Sequence, residues 1–187
     1  TTRYNNPQFI ESDPIQIPHK FNLKEDIEIA AFLSATIAWG NRTMIIRNAS
    51  KMMDLLGNSP YDFVMNHQNH HLDSFENFVH RTFNATDFQC FIKSLKHIYT
   101  HHSGLENALS ISDGAQNYKR AIHHFKQLFF EVRNRLRKEN LEEWIGLHQV
   151  FMNVISVMKQ LIFDGRLYVA TLKDEESVRL ILAKQGL

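Results

Sequence analysis

Apolar residues recur at helical spacing along most of this chain, and few residues interrupt the pattern. The clearest stripe has positions three or four residues apart, as on one face of a helix: Phe88, Phe91, Ile92, Leu95, Ile98 and Tyr99. The 187 residues include 14 phenylalanines but only 7 glycines and 4 prolines, the residues that most readily end helices. The sequence therefore predicts an all-α fold, a single helical domain of about seven to nine helices.

Proline content and apolar spacing divide the chain into three parts. Residues 1–21 hold three of the four prolines and show no periodicity, so we expect an extended N-terminal arm. Residues 22–140 carry the strongest helical patterns and are expected to form the main helical domain. Residues 141–187 are expected to form C-terminal helices, which belong either to the same domain or to a small appendage.

The stretch "DIEIAAFLSATIAWGNR" joins two of the predicted helices. We expect helix one over residues 23–39 and helix two over residues 42–56. Asn41 is a suitable N-cap for helix two, and Gly57 a suitable left-handed residue at its end. Because so short a turn separates the two helices, they are predicted to pair closely, with Trp39 filling the core beneath Arg42.

Charge and cysteine content exclude several classes of protein. Lysine and arginine number 21 against 20 acidic residues, so no overall positive field indicates a polyanionic partner, and nucleic-acid binding would depend on a local basic patch. The single cysteine, Cys90, excludes a disulfide framework or a cysteine-ligated metal within one chain and fits a reducing cytoplasm. It lies in an apolar helical stripe and is predicted to be buried. No apolar run approaches the roughly 18 residues that a membrane-spanning helix needs.

Two segments carry candidate binding residues. Asn41 and Arg42 lie at the predicted start of helix two, where free backbone N–H groups attract anions. Capping explains Asn41, but it does not require a cation at Arg42. His80 and Arg81 lie in "HRTFNATDF", in which Thr86 is expected to cap the next helix. The alternative for both segments is structural: a helix end and cap at the first, a solvated arginine and a surface histidine at the second.

A third candidate is the run "RNRLRKE", in which Arg133 and Arg137 share one helical face. Such a strip can contact phosphates, and the alternative is a solvated helix C-terminus whose cations interact favourably with the helix dipole. The eleven histidines include two pairs at the i, i+4 spacing of metal ligands. We identify no third ligand for either pair, so neither a metal nor another cofactor is expected.

Several motifs resemble known families. The stretch "IEIAAFLSATIAWGNRTMIIRNASKMMDLLGNSPYDFV" resembles the opening of the helix-hairpin-helix DNA glycosylase superfamily, where an apolar helix leads through a turn into a second helix. The blocks "DPIQIPHKF", "EDIEIAAFLSATIAWGNR", "HRTFNATDFQCFIKSLKHIY" and "FFEVRNR" resemble, in the same order, motifs of the domain of unknown function 2400 family, an uncharacterised bacterial family. The resemblance covers roughly residues 4–135 and lapses after about Arg135.

The resemblance implies a glycosylase-like helical fold without the catalytic part. The glycosylase glutamine at the end of the first helix is matched by Thr36, and neither a Pro-Leu-Asp-x-His type motif nor a Gly-x-Gly hairpin occurs. No catalytic residue is therefore assigned. We expect a cytoplasmic, non-catalytic domain that contacts DNA or RNA through phosphates at Asn41, Arg42, Arg81, Arg133 and Arg137. The alternatives are a base-excision repair enzyme and a helical protein–protein interaction module.

Overall fold

The described part of the chain is almost entirely helical. The computed structural model describes residues 6–110, 118–139, 141–146, 152–163 and 175–187. Within these ranges lie ten α-helices, three 3-10 helices and one two-stranded hairpin. The predicted all-α class is confirmed. The helices outnumber the predicted seven to nine because several are only five to seven residues long and carry too few turns for a periodic pattern.

The elements follow one another through two compact units, residues 1–133 and residues 134–187. The α-helices are α1 (Pro7–Ser12), α2 (Lys24–Thr36), α3 (Arg42–Leu55), α4 (Pro60–Asn66), α5 (Ala85–His101), α6 (Leu105–Leu109), α7 (Tyr118–Glu139), α8 (Leu141–Gly146), α9 (Met152–Phe163) and α10 (Glu175–Lys184). The 3-10 helices are Pro14–Gln16, Pro18–Lys20 and Asn69–Phe75, and the antiparallel hairpin consists of β1 (Val79–His80) and β2 (Phe83–Asn84).

The N-terminal segment is helical, and its prediction as an extended arm is wrong for residues 7–20. Pro7, Pro14 and Pro18 each occupy a first-turn position of a short helix. Proline is tolerated there because its missing N–H would have no intrahelical partner. Ile17, between the second and third of these helices, is fully buried. The prolines thus start helices in this segment, and the segment is part of the core.

Helices α2 and α3 correspond to predicted helices one and two, and they pack against each other as expected. Helix α2 ends at Thr36, three residues before the predicted end, and Ile37 is its C-cap. Helix α3 begins at Arg42 as predicted, and Gly57 adopts the left-handed conformation predicted after its end, with φ 65°. The core of the first unit lies between α2, α3, α4 and α5.

The segment before α5 differs from its prediction. A 3-10 helix ends at Phe75, β1 begins at Val79 and α5 begins at Ala85. Asn84 caps α5: its Oδ1 accepts from the Asp87 N–H at 3.1 Å, and the Asp87 carboxylate accepts from the Asn84 N–H at 3.0 Å. Thr86 is therefore not the N-cap.

The apolar stripe of α5 is confirmed at its central positions. Phe88, Ile92, Leu95 and Ile98 are all fully buried. Cys90 is partly exposed, so its predicted burial is wrong. It lies beside the stripe and not within it, because one residue corresponds to about 100° around a helix.

The second unit contains its own ion pairs. Arg137 donates to the Glu176 carboxylate and Lys184 to the Glu142 carboxylate, the latter joining α8 and α10. Within the residues that the structure describes, no helix of either unit is long and apolar enough to cross a bilayer.

Candidate functional site

The connection between α2 and α3 is a tight turn that ends in a capped helix. After Ile37 the chain leaves the helix, and the Trp39 N–H donates to the Ile37 carbonyl at 2.8 Å. Gly40 has φ 113°, a conformation that side chains rarely adopt. The Asn41 side chain accepts from the Met44 N–H at 3.2 Å, so the predicted N-cap is confirmed. Arg42 is consequently the first residue of α3.

The hairpin brings Arg81 to this turn. His80 pairs with Phe83, and Arg81 in the connection has φ 56°. This left-handed conformation costs a non-glycine residue of order 1 kcal/mol or more and tends to occur where function requires a side chain in a particular place. The Arg81 guanidinium carbon lies 5.0 Å from the centroid of the Trp39 ring, in a cation–π contact.

Trp39 is exposed, and its prediction as a core residue is wrong. Its exposed fraction is 41%, because its ring lies at the surface beside Arg81. A Cβ added at Gly40 would lie 2.5 Å from Nη1 of Arg81, so the close approach of the guanidinium depends on glycine at this position. Among the described residues, no carboxylate lies within ion-pair distance of Arg81.

His80 anchors the hairpin from below. Its side chain is buried, with Nδ1 2.8 Å from Nδ2 of the buried Asn48 and Nε2 3.4 Å from the Trp39 carbonyl oxygen. The Asn48 amide nitrogen only donates and a carbonyl only accepts, so Nδ1 accepts from Asn48 and Nε2 donates to the Trp39 carbonyl. The interpretation of His80 as a surface residue is therefore wrong. This histidine connects α3, the α2–α3 turn and the hairpin, and it thereby holds the neighbouring Arg81 in place.

Arg42 lies on the other side of the same turn, against the N-terminal segment. Its Nη2 is 3.8 Å from Oδ2 of Asp13, and its guanidinium carbon is 5.9 Å from the centroid of the Phe9 ring. Asp13 also caps the following 3-10 helix, since its Oδ1 accepts from the Ile15 N–H at 3.1 Å. The sequence reasoning missed Asp13, because the segment that carries it was expected to be extended.

An open groove of about 430 Å³ begins at this turn. Small residues on one face of α2 form its floor, and residues of the N-terminal segment and of α3 form its sides: Asp13, Pro14, Ile15, Pro18, Ala31, Ser34, Ala35, Ala38, Gly40, Arg42 and Ile45. Arg42 lines the groove directly, whereas Arg81 approaches it through Gly40. Asn41 and Arg42 therefore lie in the same turn that Arg81 contacts at Trp39 and Gly40. We define the exposed side chains of Trp39, Arg42 and Arg81 as the turn surface.

Of the two predicted site arginines of α7, Arg133 and Arg137, the structure describes the side chain of Arg137. Arg137 belongs to the second unit, where its side chain is only 5% exposed and pairs with Glu176. The Arg137 guanidinium is thus largely buried and paired within its own unit, and its predicted phosphate contact stays a prediction. The Arg133 side chain lies outside the described residues. Arg135 is exposed and lies 3.6 Å from the Glu139 carboxylate, the arrangement of an ordinary surface ion pair.

The histidine pairs show no metal centre in the described ranges. The rings of His97 and His101 are 4.4 Å apart between centroids, but no group of three potential ligands among histidine, cysteine, aspartate and glutamate converges in the residues described. His67 instead directs Nδ1 at the carbonyls of its own helix, at 3.1 Å from Phe63 and 3.0 Å from Val64.

Comparison with protein families gives a match over most of the chain. The family described as "Protein of unknown function (DUF2400)" matches residues 13–160. The match extends past the point near Arg135 where the sequence motifs lapse, so that boundary of the resemblance is wrong. Neither the curated proteins nor the solved structures gave a match. The similarity to the glycosylase superfamily stays a prediction.

Proposed function

The chain belongs to the DUF2400 family of proteins of unknown function, and we propose that its first compact unit binds nucleic acid through the turn surface. Phosphates of the ligand contact Arg42, Arg81 and the first turn of α3 next to Asn41. We do not assign Arg133 to the site. We leave Arg137 out of it because its side chain is buried and pairs with Glu176. The bound ligand is DNA or RNA.

The observation that carries this proposal is the position of Arg81. The backbone of Arg81 has a left-handed conformation, and its exposed guanidinium lies over the exposed ring of Trp39. Among the described residues, no carboxylate pairs with this guanidinium. The two-residue turn of the hairpin by itself accounts for a positive φ at its first position. What distinguishes Arg81 from a merely solvated arginine is the contact of its guanidinium with Trp39 and the buried His80–Asn48 contact next to it.

The start of α3 adds a second positive element to the turn surface. A helix N-terminus carries about half a positive charge, and its first N–H groups lack intrahelical partners. Asn41 satisfies the N–H of Met44, the third residue of α3. The backbone N–H groups that precede Met44 in α3 are then available to an anion that also contacts Arg42. This combination of a cation and a helix N-terminus is well suited to a phosphate.

The modest charge of the protein sets the expected strength of binding. The net charge is +1, so the turn surface contributes a few phosphate contacts and not an extended basic face. We expect dissociation constants of about 10⁻⁶–10⁻⁴ M at physiological salt, the range of binding that is independent of nucleotide sequence. The affinity should fall as salt rises, because each phosphate contact releases counterions.

The test is the fluorescence anisotropy of a short labelled DNA duplex, titrated with protein at several salt concentrations. Arg42→Gln and Arg81→Gln should each weaken binding and flatten the slope of log K against log salt by about 0.9, the value for one phosphate contact. The control is Lys24→Gln, which removes one positive charge from the opposite end of α2. That helix has 13 residues and is about 20 Å long, so the control lies far from the turn.

The outcomes are distinct. Loss of affinity in the two arginine variants, with the control unchanged, supports the turn surface as the binding site. Equal effects in all three variants would mean that binding follows total charge, and the assignment to the turn surface would be rejected. Absence of salt-dependent binding by the wild-type protein to duplex and single-stranded DNA and to RNA alike would reject nucleic-acid binding itself.

A further inference from the structure

We propose that the preferred ligand of the turn surface is an unpaired, single-stranded segment, one base of which stacks on the Arg81–Trp39 pair. This inference rests on the proposed function and narrows it to a class of nucleic acid. It depends on the flat side chains of the turn surface as well as on its charges.

We call the Arg81 guanidinium over the Trp39 indole the platform. The guanidinium carbon lies 5.0 Å from the centre of the indole, and the His80 ring lies at 79° to the same indole with 6.0 Å between centroids. His80 is itself buried and bonded to Asn48, so the indole has a fixed neighbour on its inner side. The 41% of Trp39 that remains exposed is available to a ligand.

Both members of the pair are suited to unpaired bases. Indole rings and arginine guanidinium planes are the side chains on which splayed-out bases stack. A base inside a duplex already stacks on a neighbour on each face, so it cannot use such a platform without being displaced. A single strand offers free base faces and can use it directly.

The groove offers a path along which the bound single strand can continue beyond the platform. Gly40 contributes both to the contact with Arg81 and to the lining of the groove, whose floor is made of small residues. A strand with one base on the platform can therefore continue past Gly40 towards Arg42 and the N-terminus of α3. Its stacking and phosphate contacts then come from opposite sides of the same turn. Few phosphate contacts suffice for this mode, in keeping with the net charge of +1.

The experiment compares a labelled single-stranded oligonucleotide with the duplex of the same sequence by fluorescence anisotropy, with DNA and RNA forms of the single strand. The single strand should bind more tightly than the duplex. Trp39→Leu, which keeps an apolar side chain but removes the aromatic face, should weaken single-strand binding by roughly fivefold to a hundredfold. The same variant should leave the salt slope unchanged, because it removes no phosphate contact.

A second variant and a spectroscopic signal distinguish a loss of stacking from a folding defect. Arg81→Lys keeps the charge but loses the planar group, so it should weaken single-strand binding while retaining the salt slope. The chain has two tryptophans, and in a Trp144→Phe background the fluorescence of Trp39 should be quenched by the single strand. Thermal unfolding of each variant checks that the fold is intact.

Each result decides between defined alternatives. Equal affinity for single strand and duplex, or full single-strand affinity in a folded Trp39→Leu protein, would overturn the stacking proposal. If the duplex then binds with a salt slope that depends on Arg42 and Arg81, the proposed phosphate-binding function still stands. If neither form binds, both proposals fail.

Discussion

Nδ1 of His80 lies 2.8 Å from the side-chain amide of Asn48, and both residues are buried. The pair joins the hairpin to the middle of α3, and through Nε2 it also reaches the Trp39 carbonyl. The position of the exposed Arg81 therefore depends on a polar contact inside the core. Buried polar groups are costly when they lose a partner, so this contact is expected to matter for both stability and binding.

Asn48→Ala should lower the free energy of unfolding by about 1–3 kcal/mol, because Nδ1 of His80 is left buried without a donor. The measurement is urea unfolding at neutral pH. Asn66→Ala is the matched control: its amide donates to Asp62 at 2.8 Å, but at an exposed position on α4. The control should stay within about 0.5 kcal/mol of wild type. If both variants lost the same free energy of unfolding, the buried contact would stabilise the protein no more than the exposed one.

Gly40→Ala should impair both folding and the turn surface. The φ of 113° is unfavourable for alanine, at a cost of about 1–3 kcal/mol, and the new Cβ would displace the Arg81 guanidinium. Nucleic-acid affinity should then fall about as far as in Arg81→Gln. Gly57→Ala is the comparison, since its φ is 65° and no atom lies within 4 Å of the added Cβ. It should cost about 1–2 kcal/mol of stability without changing affinity.

Local sequence patterns were sufficient to predict much of the fold. The α5 stripe, the Asn41 cap and the left-handed Gly57 each depend on a few neighbouring residues, and all three are confirmed. The prediction of an extended N-terminal arm from the prolines of residues 1–20 was wrong for a physical reason. Proline disrupts a helix interior but is favourable in a first turn, and spacing alone did not distinguish the two.

The candidate site was only half predictable, because it is built from distant segments. The sequence identified Asn41, Arg42 and Arg81 as candidates, but each only from its own local segment. The contacts of Arg81 with Trp39 and of His80 with Asn48 join parts of the chain that no helical or turn pattern relates. Trp39 was expected in the core because large aromatic residues usually bury their surface.

Arg137→Ala should destabilise the second unit, whereas Arg135→Ala should not. Arg137 is almost fully buried and pairs with Glu176, whose side chain is 66% exposed. Removing the arginine leaves a cavity and breaks the pair with Glu176, so the expected loss is about 1–3 kcal/mol. Arg135 forms an exposed pair with Glu139, worth at most about 0.5 kcal/mol. Thermal unfolding that ranks the two variants in the opposite order would contradict this assignment.

His67 should make the protein less stable in mild acid. Burial lowers the pKa of His67, against the opposing effect of its hydrogen bonds to the Phe63 and Val64 carbonyls. A histidine with a lowered pKa in the folded state takes up protons more readily when unfolded. Stability is therefore lost as the pH falls below about 6.5, the ordinary histidine value. Urea midpoints at pH 7.5 and below pH 6 should differ less in His67→Gln than in wild type. Parallel pH dependences in the two proteins would refute this contribution.

Asp13→Asn should strengthen nucleic-acid binding. The Asp13 carboxylate lies 3.8 Å from the Arg42 guanidinium, where it partly neutralises the cation and repels phosphate. Asparagine keeps the oxygen that caps the Ile15 N–H, so the N-terminal segment should stay folded. In the anisotropy titration at low salt, Asp13→Asn should bind more tightly than wild type and show a steeper salt slope.

The double variant Asp13→Asn, Arg42→Gln separates this pairing from a general change in charge. If Asp13 acts through Arg42, removing its charge should improve binding only while the arginine is present, and the two substitutions should be non-additive. If Asp13→Asn improves binding to the same extent in both backgrounds, the carboxylate acts through the overall field of the protein. Arg42 would then lose its assigned role as the phosphate contact on this side of the turn.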